Sequence, residues 1–160
     1  MTKFGTFQTG SRREDPRFLT GKGRYVDDLA PAGALHAMFL RSPVAHGRIT
    51  RIEVAAARAV PGVHLVLTAA DLAAAGLVTD MRGMRLTNSD GSHAAAPERL
   101  VLAADRLRFV GEPVAAVIAD SPDAARDALE AIELEYDDLP VKLDLAPGGP
   151  EIYPDVPGNV

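Results

Sequence analysis

Alternating and continuous runs of apolar residues divide the chain into strands and short helices. The run ALHAMFL at 34–40 is apolar on both alternating faces except at His36, which predicts a central strand ending at Arg41. β-Branched and aliphatic residues predict further strands at 48–54, 64–67 and 114–119, with shorter ones at 23–26 and 133–136. A core of Ala, Val, Leu and Ile is expected, with close helix-to-sheet contact where Ala faces the sheet.

Two of the predicted helices begin at hydroxyl residues that favour the N-cap position. Thr68 precedes a brief helix at 69–75 that ends at Gly76, and Ser121 precedes a helix with Pro122 in its first turn. A third, short helical turn at 55–60 is closed by Pro61 and Gly62. The strands at 114–119 and 133–136 flank the Ser121 helix, and their crossover is expected to be right-handed if they are parallel.

These elements predict an α+β fold: a mixed β-sheet with packed helices and a strand–helix–strand unit near the C-terminus. With 160 residues the chain fits a single domain, which we expect at 1–145. Residues 1–20 are expected to be an extended arm. Residues 78–99 are expected to form a long exposed loop, which in a compact domain indicates function or contact with another chain. Residues 146–160 hold three Gly and four Pro, which predicts a linker.

Composition excludes several classes of function. A net charge of −5 argues against nucleic-acid binding, and no apolar run approaches the ~20 residues that span a bilayer. The chain has no cysteine, which removes disulfides, thiol catalysis and cysteine-ligated iron–sulfur clusters. Arg12 and Arg13 precede Glu14 and Asp15 rather than an apolar stretch, so we interpret them as surface residues and expect a cytoplasmic protein.

No residue pattern in the chain predicts a catalytic, cofactor-binding or metal-binding site. Two acidic pairs, at 27–28 and 137–138, are neighbours whose side chains diverge in extended chain, and turn capping explains them better than acid–base chemistry. Pro43 lies between Ser42 and His46, which argues against a helix that would align them. None of the histidines shares a metal-binding spacing with another; they are His36, His46, His64 and His93. No phosphate loop, dinucleotide fingerprint or nucleophile elbow is present.

Four segments in order nevertheless resemble one family. They read RREDPRFLTGKGRYVDD at 12–28, LHAMFLRSPVAHGRI at 35–49, PGV at 61–63 with the strand ending at Thr68 and Ala70-Asp71 after it, and FVGEPVAAV at 109–117. Ala124, Ala125, Ala128, Glu135-Tyr136 and Leu139-Pro140 continue the similarity. Together they resemble the N-terminal α/β-hammerhead domain of molybdenum hydroxylase large subunits, the group of xanthine dehydrogenase, aldehyde oxidase and aerobic carbon monoxide dehydrogenase. Only residues 78–99 have no clear counterpart.

The resemblance implies a non-catalytic structural domain of an oxidoreductase. The complete enzymes oxidise an aldehyde, an N-heterocycle or carbon monoxide, and they use a molybdopterin cofactor, [2Fe–2S] clusters and FAD held elsewhere. The family's catalytic glutamate follows this domain, so Glu112 does not take that role. The implied partners are the molybdopterin-binding region, into which 146–160 would lead, and the iron–sulfur and FAD subunits or domains. The expected contacts are residues 41–46, the loop at 78–99 and the Gly111-Glu112-Pro113 turn, although local backbone geometry explains that turn equally well.

Two alternatives stay open at this point. The chain could be a stand-alone small-molecule-binding or protein-interaction module that reuses the fold, because fold alone does not fix function. It could also be a cofactor-free enzyme with Asp27, Asp28 or His46 as general base, but no converging set of groups supports this. The sequence does not distinguish a piece of a longer polypeptide from a separately encoded part of a split subunit.

Overall fold

The computed structural model of the chain describes residues 12–29, 31–77, 79–81, 86–154 and 156–159. The chain divides into two units, Met1–Ala34 and Leu35–Val160, and each is described by itself. Most of the predicted arm, residues 1–11, lies outside the described residues. No helix within the described ranges is both long enough and apolar enough to cross a bilayer.

The described part of the N-terminal unit differs from the extended arm and strand that the sequence predicted. Helix α1, Asp15–Leu19, forms one turn, and the Asp15 carboxylate accepts the Arg12 backbone N–H at 3.1 Å. A 3₁₀ turn follows at Val26–Asp28, and no strand forms at 23–26. Phe18 stacks on Tyr25 with ring centroids 5.7 Å apart, and Gly23 makes room for this contact, because a Cβ there would lie 2.7 Å from the Phe18 ring.

Within the described residues the C-terminal unit has six strands, three α-helices and a 3₁₀ turn at Pro157–Asn159. In chain order the strands and α-helices are β1 His36–Arg41, β2 Gly47–Glu53, α2 Ala55–Arg58, β3 Val63–Thr68, α3 Ala69–Ala74, β4 Arg106–Leu107, β5 Pro113–Ala119, α4 Pro122–Glu130 and β6 Glu133–Asp138. The strands form two three-stranded sheets: the first in the order β1-β5-β3, the second in the order β4-β2-β6. Every pairing between these strands is antiparallel.

The fold class and the strand–helix–strand unit are confirmed, but the arrangement of the strands differs from the prediction in two ways. The strands β5 and β6 that flank α4 belong to different sheets, so the condition of parallel strands is not met and the handedness rule does not apply. The strand β1 is at an edge, and β5 occupies the centre of its sheet. A central position in the sheet therefore does not explain why β1 is apolar on both faces.

Two apolar clusters hold the C-terminal unit together. In the larger, α4 packs across β1, β5 and β3, and α2 packs against α4 and β3. Its helices approach closely because Ala57, Ala125 and Ala128 are fully buried, as the alanine-rich composition predicted. The smaller cluster centres on Leu107 and Val114 beside the second sheet.

The helix boundaries predicted from the cap residues are confirmed. The Ser121 hydroxyl accepts the Ala124 backbone N–H at 3.1 Å, and Pro122 is in the first turn of α4. The Thr68 hydroxyl accepts the Asp71 backbone N–H while the Asp71 carboxylate accepts the Thr68 N–H, so each end of α3's first turn caps the other. Gly76 follows α3 with a φ of +67°, which favours glycine.

The segment predicted as a long loop contains two short antiparallel contacts. Asp80 pairs with Leu100, and Thr87 pairs with His93. Residues 78 and 82–85, which include part of the predicted loop, lie outside the described residues.

The segment predicted as a linker folds back on itself over 148–159. The Asn159 side chain accepts the Ile152 N–H at 3.0 Å and donates to the carbonyl oxygens of Gly148 and Pro150 at 3.1 and 3.0 Å. The Gly148 N–H also donates to the Gly158 carbonyl at 2.7 Å. The Asn159 side chain and this backbone hydrogen bond together close the segment into a loop.

Candidate functional site

The structure brings together two of the segments that the sequence proposed as contacts, residues 41–46 and 111–113. The Ser42 N–H donates to the Glu112 carbonyl and the Gly111 N–H donates to the Ser42 carbonyl, both at 2.8 Å. The Arg41 guanidinium donates to the Gly111 carbonyl at 2.9 Å. We call this junction, with the side chains of Ser42, His46, Arg108 and Glu112, the polar corner.

The polar corner is buried within the chain rather than presented to a partner. Ser42, His46 and Glu112 are only 3%, 4% and 5% exposed. The Ser42 hydroxyl donates to the Val44 carbonyl at 2.7 Å and accepts the Val44 N–H at 3.2 Å, which fixes the turn after β1. Of the expected contact segments, these three side chains are therefore closed off from a partner, whereas Arg41 and Pro43 are exposed. Their burial follows from backbone pairing between distant segments.

His46 occupies a structural position at the end of β6. Its Nδ1 lies 2.7 Å from the Pro140 carbonyl oxygen, and its backbone carbonyl accepts the Leu139 N–H at 3.1 Å. Because a carbonyl only accepts hydrogen bonds, Nδ1 carries the proton, and in the neutral ring Nε2 is the unprotonated nitrogen. That Nε2 is buried and has no partner among the described residues. A general base must reach a substrate proton. Because the His46 Nε2 is closed off from solvent, its position does not fit the general-base role considered for His46.

Glu112 caps the turn that joins β4 to β5. Its carboxylate accepts the Arg108 backbone N–H at 2.5 Å, and the Arg108 guanidinium lies 3.9 Å from its other oxygen. Burial is the largest influence on this carboxyl and raises its pKa, while the hydrogen bond from Arg108 and the charge of that side chain act in the opposite direction. The Arg108 guanidinium also lies 5.2 Å from the centre of the Tyr153 ring. This contact joins the corner to the C-terminal loop, and no local sequence signal predicted it.

The acidic pairs also have local roles or stay on the surface. The Asp28 carboxylate accepts the Tyr25 N–H at 2.8 Å and closes the 3₁₀ turn, as turn capping predicted. Asp137 and Asp138 are exposed on β6, where they pair in register with Arg48 and Gly47 of β2.

The remaining histidines are not drawn into a common site by the fold. The His64 Nε2 lies 2.7 Å from an Asp120 carboxylate oxygen on the protein surface, and His36 and His93 are exposed on other segments. Within the described residues, no three His, Cys, Asp or Glu side chains are grouped so as to hold a metal ion. The sequence contains no cysteine, so its side chains do not fit a cysteine-ligated iron–sulfur cluster.

A shallow cavity lies along β3. It has a volume of about 190 Å³ and is lined by Arg58 and by residues 63–66. Pockets for organic ligands usually have volumes of ~300–1,000 Å³. The Arg58 guanidinium beside it is already engaged by the Asp71 carboxylate and the Val66 carbonyl. The cavity therefore offers too little space and too few unengaged polar groups to favour a small-molecule site.

Comparison with known proteins gives consistent matches. The family model described as aldehyde oxidase and xanthine dehydrogenase, a/b hammerhead domain, matches residues 20–140. The carbon monoxide dehydrogenase large chain of Hydrogenophaga pseudoflava is 44% identical over 151 residues, which is 92% of this chain and 17% of that protein. The xanthine dehydrogenase molybdenum-binding subunit of Escherichia coli O157:H7 is 32% identical over 77% of this chain and 16% of its own length.

The fold is also similar to that of solved enzymes. The crystal structure of quinoline 2-oxidoreductase from Pseudomonas putida 86 matches with a TM-score of 0.72 and 43% identity, over 87% of this chain and 16% of that one. The chain thus spans about one sixth of the length of the relatives it matches. The family model covers residues 20–140, which include most of the motifs that suggested the resemblance.

Proposed function

Because the chain belongs to the aldehyde oxidase and xanthine dehydrogenase a/b hammerhead family, we propose that it serves as a non-catalytic structural domain of a molybdenum-dependent oxidoreductase. The observation that carries this proposal is the match of nearly the entire chain to about one sixth of molybdenum hydroxylase large subunits. Its role is to fold as one layer of such a subunit and to pack against the region that holds the molybdopterin cofactor.

The placement of the polar side chains supports a structural role. Ser42 and Glu112 bond to backbone groups of their own turns, and His46 holds the end of β6. A reacting site needs a nucleophile or base, an orienting group and space for a substrate within ~3 Å of both. The polar corner provides hydrogen bonds without that space, since its side chains are buried against their own chain.

The activity of the complete enzyme is also part of the proposal. It oxidises an aldehyde, an N-heterocycle or carbon monoxide, with a molybdopterin cofactor, [2Fe–2S] clusters and FAD held by other domains or subunits. The molybdenum centre supplies the oxidation of substrate. Residues 1–145 constitute the hammerhead domain in this proposal, 146–160 connect it to the molybdopterin-binding region, and the assembly is cytoplasmic.

Molybdenum content tests this proposal. A tagged copy of the full chain, produced in its native host, is expected to co-purify with a partner polypeptide that carries molybdenum, as measured by elemental mass spectrometry. The same chain purified alone from another host is expected to contain no stoichiometric molybdenum and to leave aldehydes and purines unchanged. Stoichiometric molybdenum in the isolated chain, or turnover by it, would contradict the structural role.

A further inference from the structure

One face of the first sheet is apolar and open to solvent. The side chains of Met38, Val66 and Val117 point towards α4 and its cluster. Successive strand residues point to opposite faces, so the alternate residues form the other face. The strand registers align them in rows across β1, β5 and β3. These residues, which we call the open sheet face, are Ala37, Phe39, Leu65, Leu67, Ala116 and Ile118.

The six residues of the open sheet face are all uncharged, and the face is accessible at Phe39 and Leu65, whereas Ala116 at its centre is buried. Phe39 is 42% exposed and Leu65 is 47% exposed. At the end of β1 the Arg41 guanidinium lies 5.8 Å from the centre of the Phe39 ring, so one positive charge borders the face. Isolated exposed apolar residues are ordinary on protein surfaces, but a contiguous patch across three strands marks an interaction surface.

The sequence of β1 indicates that this face is covered in the functional protein. Its run is apolar on both alternating faces, a pattern typical of strands buried on both sides. In the structure β1 is an edge strand, and only the face towards α4 is packed. An apolar sheet face normally packs against a second layer, with the two layers about 10 Å apart. Within the described part of Leu35–Val160, Phe39 and Leu65 stay 42% and 47% exposed, so this unit supplies no second layer over them.

We infer that the open sheet face is the docking surface for the remainder of a large-subunit polypeptide, which covers it with an apolar layer. This inference rests on the proposed function. The relatives have about five sixths of their length outside the matched segment, so each of them has enough further polypeptide to cover this face. The apolar character of its six residues fits a permanent interface, since obligate interfaces are more apolar than transient ones. Ser42, His46 and Glu112 of the polar corner are excluded from the docking surface because their side chains are buried.

A chimaeric large chain tests the inference. In the full-length carbon monoxide dehydrogenase large chain of Hydrogenophaga pseudoflava, the segment matched over 151 residues is replaced by this chain. Leu65→Glu places an unpaired carboxylate on the open sheet face, with Phe39→Glu on β1 as the second variant. The matched control is Leu145→Glu, because Leu145 is fully exposed and far from the open sheet face in sequence.

The unmodified chimaera and its Leu145→Glu form are expected to be recovered as soluble, folded large chain. For the Leu65→Glu and Phe39→Glu forms, the yield of soluble, folded large chain is expected to be lower by roughly tenfold or more. Burying an unpaired carboxylate costs more than the 1.4 kcal/mol that a tenfold change represents. In the isolated 160-residue chain the same two substitutions are expected to leave the circular dichroism spectrum and the melting temperature nearly unchanged, since both side chains are exposed there.

Each other outcome overturns a specific claim. If the unmodified chimaera is not recovered, the proposed function fails and the inference falls with it. If the unmodified chimaera is recovered but Leu65→Glu and Phe39→Glu match Leu145→Glu, the proposed function stands and the docking surface is wrong. If the isolated chain is a dimer by light scattering and Leu65→Glu makes it a monomer, a second copy covers the face and the inferred occupant is wrong.

Discussion

One carboxylate, that of Asp71, fastens three segments of the C-terminal unit, and its removal has a calculable cost. It accepts the Thr68 N–H at 2.8 Å and the Thr68 hydroxyl at 2.7 Å, and the Arg58 guanidinium donates to it at 2.9 and 3.0 Å. Asp71→Asn keeps the shape and one acceptor oxygen but loses the charge. The half-exposed ion pair with Arg58 contributes about 0.2–1 kcal/mol. Weakening the bonds from Thr68 adds about 1 kcal/mol. We expect Asp71→Asn to lower the free energy of unfolding by about 1–2 kcal/mol.

The loss of unfolding free energy in Asp71→Asn depends on pH, and the contacts of Asp71 determine the direction of that dependence. The Thr68 hydroxyl, then the Thr68 backbone N–H and Arg58, hold the pKa of Asp71 below its ordinary value of 3.8. A carboxyl whose pKa is lower in the folded state stabilises the protein above the pKa of the unfolded state. That stabilisation is lost as the pH falls through the folded-state pKa. The difference between wild type and Asp71→Asn is therefore complete at neutral pH and shrinks below about pH 4.

Urea denaturation of the full chain, followed by circular dichroism at neutral pH and at several values down to about pH 2, measures both effects. The matched control is Asp127→Asn, because Asp127 is exposed on α4 and its substitution makes the same chemical change. We expect the control to have the wild-type midpoint. An Asp71→Asn variant as stable as wild type at neutral pH would refute the reasoning, as would a deficit that stays the same at every pH.

Substitutions at three further positions probe the rest of the C-terminal unit by the same denaturation assay. Leu107→Ala empties a fully buried position in the smaller cluster and should cost about 2–5 kcal/mol, and a loss below 1 kcal/mol would show that the cluster is not packed as described. Ser121→Ala removes the N-cap of α4 and should cost about 1 kcal/mol, whereas Ser121→Gly should cost only a few tenths. Burial raises the pKa of Glu112, so its ionised form opposes folding and wild-type stability falls as the pH rises through the folded-state pKa. Glu112→Gln should therefore gain stability relative to wild type as the pH rises from about 4 to 7; a relative loss over that range would contradict this account.

Local features of the chain were predictable from the sequence, and features created by distant pairing were not. The caps at Thr68 and Ser121 act within four residues, so their residue types alone placed the starts of α3 and α4. The burial of Ser42 and Glu112 arises from a backbone pairing 70 residues apart, which leaves no periodic signal in either segment. The closing role of Asn159 was missed for the same reason, because its partners lie 7 to 11 residues earlier.

Two errors in the predicted strands have different physical origins. The stretch 23–26 has strand-forming residues, but the Asp28 carboxylate accepts the Tyr25 N–H and the backbone forms a 3₁₀ turn. Asp side chains often compete in this way with strand pairing for a backbone N–H. For β1 the pattern correctly indicated apolar residues on both faces but wrongly placed the strand at the centre of its sheet. A periodic pattern reports which faces are apolar, and it does not say whether the same polypeptide covers them.

The distribution of polar and apolar side chains in this chain is the reverse of what a binding or catalytic site requires. A site directs polar groups into an accessible cavity and surrounds them with apolar walls. Here Ser42, His46 and Glu112 are buried in their own turns, and the accessible surface of the first sheet is apolar at Phe39 and Leu65. Internal hydrogen bonds at the polar corner hold β1 and β5 in register, and that register aligns the rows of the open sheet face. The polar groups therefore act at a distance: by fixing the strands, they shape an apolar surface that another layer can cover.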